Sequence, residues 1–296
     1  MSDSQKIKEK PFVSVVICTQ NRKEYLENYS LPSVLEQTYP HYEVVVVNDN
    51  SKDDTEKFLH NYKDAADRLK IVDNKLVKGI SYARQLGVNY AGGEIIAFTD
   101  DDCIVDTSWL KDLVSAFEED KTLMAVGGLT YDGNTSNPNL PSNGIFGFNM
   151  SFRKRVFERF SFDPNLFFHQ TCYHEETDLV NRLKDHDYKT AQIKKAVVRH
   201  FPAPAEYRKI RKIAIHMNWI YMQAKKTPLP MYYYRFFKRS RQMYAIIKEL
   251  YKKGVLSFWD TLKDMAWANY VLLFELPFKA KTAHWREERE FRNGKK

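Results

Sequence analysis

The chain has 296 residues, 43% hydrophobic and 28% charged, which excludes a disordered or fibrous protein and allows one large domain with or without an extension. Lys and Arg outnumber Asp and Glu by 46 to 38, and the formal charge of +8 biases the chain toward anionic partners: nucleic acid, phosphorylated ligands or acidic lipid. Cys18, Cys103 and Cys172 form neither a disulfide framework nor a zinc spacing and point to a reducing compartment, and no signal peptide or membrane-length apolar run is expected.

Residues 1–10 read as a solvated tail, and a β/α alternation begins after them. Residues 12–18 are short, apolar and β-branched, as a strand buried in a parallel sheet should be. A helical stretch over 23–38 follows, which Pro32 is expected to kink or break. A second strand is predicted over 42–47, a helix from 55 to about 62 after the capping residues 51–55, and a third strand over 69–72. A helix over 80–91 is closed by Gly92 and Gly93, and a fourth strand over 94–99 runs into Asp100, Asp101 and Asp102. A helix over 109–119 and a strand over 124–129 complete the alternation. This pattern implies crossover units and a mostly parallel α/β sheet, with ligands at the carboxyl ends of the strands. Residues 132–142 read as a long loop, and a helix over 175–185 carries acids at its amino end. After residue 201 strand signals stop and basic and aromatic residues dominate, which places a boundary near residue 204: a tail over 1–10, a catalytic domain over 11–203 and a helical extension over 204–296.

The chemistry concentrates after the strands. Three adjacent carboxylates at Asp100, Asp101 and Asp102 repel one another unless a cation or hydrogen-bond donors compensate. A hard ion such as Mg²⁺ or Mn²⁺, which takes one or two carboxylates plus phosphate oxygens, is one such cation, and a solvated acidic loop is the alternative. Asp49 either accepts from a nucleotide base or ribose, or caps a turn. Glu175 and Glu176 either complement a helix dipole or supply a general base. His200 ends an apolar run as a structural histidine or a metal ligand, and Arg84 is a surface arginine or a diphosphate contact.

Taken together, the opening strand with Thr19, Gln20, Asn21 and Arg22, the Ser33 to Pro40 segment, Asn48 to Ser51, Gly79 to Arg84, Gly93 to Asp102, Phe148 to Arg153 and Glu175 to Leu179 resemble, in order and spacing, the family-2 inverting glycosyltransferases of the GT-A fold. The resemblance runs from about residue 12 to residue 201. It implies a metal-dependent enzyme that moves a sugar from a nucleotide-diphosphate sugar, expected to be a UDP-sugar, to a hydroxyl on a glycan or lipid-linked acceptor. It also implies that Thr19, Asn21 and Asp49 hold the nucleotide and that Arg84, Asp100 and Asp101 serve the donor. By the same resemblance Asp102, with Asp100 and His200, holds Mg²⁺ or Mn²⁺, and Glu176 or its neighbour Glu175 is the base. The sequence departs from the family pattern at Asn48, where Asp is usual, at Asn50, where Gly is usual, at Gln85, where Asn is usual, and in the Glu175–Glu176 pair, where the second acid is often Asp.

The basic and aromatic run from Arg208 to Lys253 suits an interfacial helix on an anionic membrane, and a helical bundle with solvated charges is the alternative. A peripheral, cytoplasmic position at the inner face of the cell membrane is therefore expected. A nucleic-acid partner is not, because the acidic triplet and the glutamate pair would repel phosphate without a metal. An inactive nucleotide-sugar-binding relative remains a rival reading.

Overall fold

The computed structural model describes residues 10–62, 67–76, 79–133, 145–166 and 174–201, together with scattered helical positions between 218 and 270. The chain divides into two units: Met1–Glu158 with Val180–Pro202, and Arg159–Leu179 with Ala203–Lys296. The division differs from a single boundary near residue 204, because residues 159–179 join the C-terminal part. The physical link is a set of ion pairs from Lys225 to Asp163 and Asp178.

In the first unit, β1 (Val13–Thr19) and β2 (Tyr42–Asp49) are buried along their whole length, which is why they read as apolar runs without alternation. Between them lie α1 (Lys23–Tyr25), a π-helical turn (Leu26–Ser30) and α2 (Leu31–Leu35). Pro32 has no N–H to offer residue 28, and the turn before it widens to π geometry, so the stretch is not one regular α-helix and it ends at Leu35. Next come α3 (Thr55–Asn61), β3 (Leu69–Asn74), α4 (Ile80–Tyr90), β4 (Ile95–Asp100), β5 (Cys103–Val105), α5 (Trp109–Glu119), β6 (Leu123–Gly127) and β7 (Thr130–Asp132). Then follow β8 (Met150–Arg153), α6 (Glu175–Asp185), β9 (Lys189–Gln192) and β10 (Val198–His200).

The main sheet has seven strands in the order β3-β2-β1-β4-β8-β6-β9. Its pairings are parallel except those of β8, which is antiparallel to both β4 and β6. The fold is therefore α/β with a mostly parallel sheet, as the sequence predicted. Helix α4 lies close over the sheet because Gly87 has no side chain: a Cβ there would stand 2.4 Å from Val16 Cγ1. Helix α5 turns Trp109, Leu110, Leu113 and Phe117 into the core, each burial contributing roughly 1.5–3 kcal/mol.

A second, three-stranded sheet has the order β5-β10-β7. These strands of three residues each are too short to show a period, and only the apolar run into His200 hinted at one of them. Asn149 braces this region: its amide donates to the Leu129 and Ala196 carbonyls at 3.0 Å each, and its oxygen accepts from Trp109 Nε1 at 3.0 Å.

In the second unit Phe160, Phe162, Leu166 and Leu179 are buried, as are Tyr221, Met222 and Ala224. Helix α6 contributes its residues through Leu179 to this unit and the remainder to the first. Among the described residues no helix is long and apolar enough to cross a membrane.

Candidate active site

The register of the central strands gathers their carboxyl ends. Thr19 pairs with Asn48 across β1 and β2, and Cys18 pairs with Asp100 across β1 and β4. The chain builds β1, β2 and β3 outward on one side and then returns to place β4 on the other side of β1. The gap between β1 and β4 is thus a topological switch point, where open α/β sheets bind ligands. Asp100, Asp101 and Asp102 emerge there.

Each of the three carboxylates has a cation. Arg84, buried on α4, donates to Asp100 Oδ1 at 2.8 Å. Arg22 forks, with one terminal nitrogen 3.1 Å from Asp101 Oδ1 and the other 3.0 Å from Asp102 Oδ2. Thr19 adds a hydroxyl donor to Asp101 Oδ2 at 2.8 Å. His200 Nε2 stands 3.4 Å from Asp102 Oδ1. The repulsion read from the sequence is therefore compensated by side chains within the fold.

Burial pushes the Asp101 carboxyl up to about 7, against the opposing pull of Arg22. Burial acts the same way on Asp102, but the His200 imidazole and the Arg22 guanidinium outweigh it and hold that carboxyl below its ordinary value. Of Asp101 and Asp102, the more acidic is thus the one facing the histidine.

Asp102, Cys103 and His200 offer ligand atoms within 4.8 Å of one another. Burial pushes the Cys103 thiol up, which keeps it a neutral and poor ligand for a hard ion. The carboxylate of Asp102 and the imidazole of His200 remain, and this oxygen–nitrogen pair fits Mg²⁺ or Mn²⁺. His200 is held in place by Phe148, whose ring stacks on it at 4.4 Å. A second group, Glu56, His60 and Asp73, is already satisfied: Lys75 Nζ lies 2.9 Å from both Glu56 oxygens, and His60 pairs with Asp73 at 2.8 Å.

Asp49 ends β2 and accepts from Asn74 Nδ2 at 2.5 Å, while burial raises its carboxyl above the ordinary value. Asn21 adopts a left-handed φ of 53°. Its N–H donates to Ser51 Oγ at 3.0 Å and its side-chain oxygen accepts from Lys52 N at 2.5 Å, so it ties the β1 turn to the β2 turn.

Glu175 and Glu176 begin α6 and belong to the second unit. Glu175 is buried and Glu176 is partly exposed, with Thr177 Oγ1 donating to Glu176 Oε1 at 3.1 Å. His174, at a φ of 68°, turns the chain into the helix, and its carbonyl accepts from Asp178 N at 2.8 Å.

Sequence reasoning assigned no role to Arg22, Asn74 or Gly147, and counted Lys225 only among the bases of the Arg208 to Lys253 run. A Cβ on Gly147 would lie 2.9 Å from the Arg84 guanidinium nitrogens, so the glycine admits that side chain. Nothing local shows what any of the four pairs with, because each acts on a partner distant in sequence. Lys225, counted in the basic run, is in fact buried and paired with acids. Most of that run, including Tyr232, Tyr233, Tyr234, Phe236 and Phe237, lies outside the described residues, as do residues 134–144 of the predicted loop.

Residues 14–182 match the profile of Glycosyl transferase family 2. A glucosyl-dolichyl phosphate glucuronosyltransferase of Haloferax volcanii is 35% identical over 118 residues, 39% of this chain and 37% of the relative, so the match covers little more than a third of the relative's length. The mannosyltransferase PcManGT of Pyrobaculum calidifontis, solved with GDP-Man and Mn²⁺, is similar in fold at a TM-score of 0.62 and 17% identity, over 95% of this chain and 86% of that one. S. aureus TarS, residues 1–349 in complex with UDP, is similar at a TM-score of 0.54 and 18% identity, over 70% of this chain and 65% of that one.

Proposed function

This chain belongs to Glycosyl transferase family 2, and from that premise we propose that it transfers a sugar from a nucleotide-diphosphate donor to a hydroxyl acceptor with inversion. The observation that carries the reading is the convergence of Thr19, Arg84, Asp100, Asp101, Asp102 and His200 at the switch point of the sheet.

The residues divide the work by their chemistry. Asp49, with its carboxyl at the end of β2, accepts from the base or ribose of the nucleotide. Thr19 and Asn21 shape the floor and wall beside it. Arg84 and Asp100 orient the donor, the arginine being held by its ion pair. Asp102 and His200 would hold Mg²⁺ or Mn²⁺, which when bound neutralises the diphosphate and stabilises charge on the leaving group. Fixing acceptor and donor in line converts an encounter into a unimolecular step. Glu176 takes the acceptor proton. Its partial exposure, beside the burial of Glu175, favours it as the base, since a base must reach its substrate. One base and a single displacement give inversion, with no carboxylate nucleophile required.

We take the donor to be a UDP-sugar and the acceptor to be a glycan or a lipid-linked saccharide. The UDP bound by TarS and the dolichyl-linked substrate in the name of the Haloferax relative support this. A screen of donor hydrolysis across UDP-, GDP- and dTDP-sugars, with Mg²⁺ or Mn²⁺, is the test. Turnover of one class that stops in excess chelator is expected. Binding without turnover of any donor would assign the chain to an inactive role, and neither binding nor turnover would overturn the reading.

A further inference from the structure

Arg22 follows the turn set by Asn21, whose two bonds to the Ser51–Lys52 turn fix where the arginine starts. Its guanidinium spans Asp101 and Asp102 at 3.1 and 3.0 Å, and lies over the Tyr25 ring at 4.4 Å. A guanidinium keeps its charge at every working pH and matches carboxylates with a rigid fork. Asp102 thereby has both oxygens engaged: Oδ1 faces His200 Nε2 and Oδ2 faces Arg22. A divalent ion on Asp102 and His200 would meet a fixed positive charge on the opposite oxygen of the same carboxylate. The two carboxylates are buried, with 4% and 6% side-chain exposure, whereas the Arg22 side chain is 28% exposed, so the arginine is the partner with room to leave.

We propose that Arg22 is a resident counter-ion of the acidic triplet, neutralising Asp102 in the metal-free protein and giving way when a divalent cation enters. The proposal rests on the assignment of the metal to Asp102 and His200. Arg22 has a second use once displaced: a long cationic arm beside the site can pair with an anionic diphosphate, so metal and donor favour each other's entry.

The test is Mn²⁺ binding to the whole chain without nucleotide, followed by electron paramagnetic resonance, for wild type, Arg22→Met and Arg22→Lys. Removing the competing charge should tighten Mn²⁺ binding by about tenfold or more, since charges at contact distance interact strongly in a partly buried site. Arg22→Lys, a single point charge, should fall between. Thermal unfolding gives a second readout: Arg22→Met should melt lower than wild type in chelator and gain more than wild type on adding Mn²⁺. If Arg22→Met does not fold, the order of Arg22→Lys and wild type decides. Equal or weaker Mn²⁺ binding in the variants would overturn the role of Arg22 and leave the metal site standing. Failure of every protein to bind Mn²⁺, even with UDP present, would remove the metal assignment and the Arg22 role with it.

Discussion

Lys225 donates to Asp178 Oδ1 at 2.9 Å, inside the second unit and one turn into the helix that opens with Glu175 and Glu176. The same ammonium reaches Asp163 Oδ2 at 2.9 Å, where the Tyr221 hydroxyl also donates at 2.8 Å. One buried cation thus serves two buried carboxylates, and burial raises the Tyr221 phenol so that it remains a neutral donor. Removing the cation takes the ammonium from both buried acids, and Asp163 keeps the neutral donors Tyr221 and Asn165. Lys225→Met should cost about 3–5 kcal/mol in urea denaturation. A loss below about 1 kcal/mol would show that the cluster is solvated in solution.

Asp163 also couples stability to pH. Burial pushes its carboxyl up, but Lys225, Asn165 and Tyr221 outweigh burial and hold it below the ordinary value. In the interval between the lowered folded value and the ordinary one, the unfolded chain binds the extra proton, so stability rises with pH there. The contribution is complete at neutral pH and is lost as acidification passes below about 4. Denaturation midpoints between pH 3 and pH 7 should therefore fall on the acid side in the wild type. Asp163→Asn should be less stable at neutral pH and flatter in acid. A variant with the wild-type slope would assign the acid sensitivity to other groups.

Asp102→Asn should abolish turnover and weaken metal-dependent nucleotide binding, because Asp102 is the held-ionised acid facing His200. Calorimetry with UDP and Mn²⁺, beside an activity assay, measures both. Full activity in this variant, or wild-type activity in excess chelator, contradicts a metal at this position.

Glu176→Gln should retain donor affinity and lose transfer by about 10²–10⁴. Glu175 is buried, so Glu175→Gln should act mainly on stability. Steady-state kinetics and thermal melts on both variants separate the roles. The reverse result, with transfer lost and the melt unchanged in Glu175→Gln, moves the base by one residue.

Sedimentation with anionic and neutral liposomes tests membrane docking of residues 204–296. Bases near an anionic surface contribute about 1 kcal/mol each, so recovery with anionic liposomes should be high at low salt and fall as salt rises. Lys225 is withdrawn from that count by its burial. Equal recovery in the supernatant with both liposome types would exclude electrostatic docking.

Much of the architecture was legible in the residues. Runs such as residues 12–18 and 42–47 are apolar without alternation because both faces of β1 and β2 are covered, and that pattern survives in one dimension. The boundaries moved where polar residues continue a strand: β2 runs through Asn48 to Asp49, and β3 through Asp73 to Asn74, because parallel partners supply the ladder bonds there. The strands β5, β7 and β10 were not legible as a sheet, since three residues carry no period and their pairing joins segments far apart.

The candidate site divides in the same way. Asp100, Asp101 and Asp102 announced themselves because like charges placed together after a buried strand need an explanation, and the spacing of Glu175 and Glu176 within a family pattern supplied theirs. What compensates those charges was decided by the fold. Arg22 and Arg84 are 80 and 16 residues from the acids they pair with. Lys225 is 47 residues from Asp178, and nothing in its basic neighbourhood distinguishes it from a solvated lysine. The sequence by itself determined the alternation that builds the sheet and the acids that end its strands, because burial periodicity and local charge repulsion act between near neighbours. The tertiary structure alone decided which cation meets which acid, because that choice depends on strand register and helix packing, which bring together residues that have no local interaction along the chain.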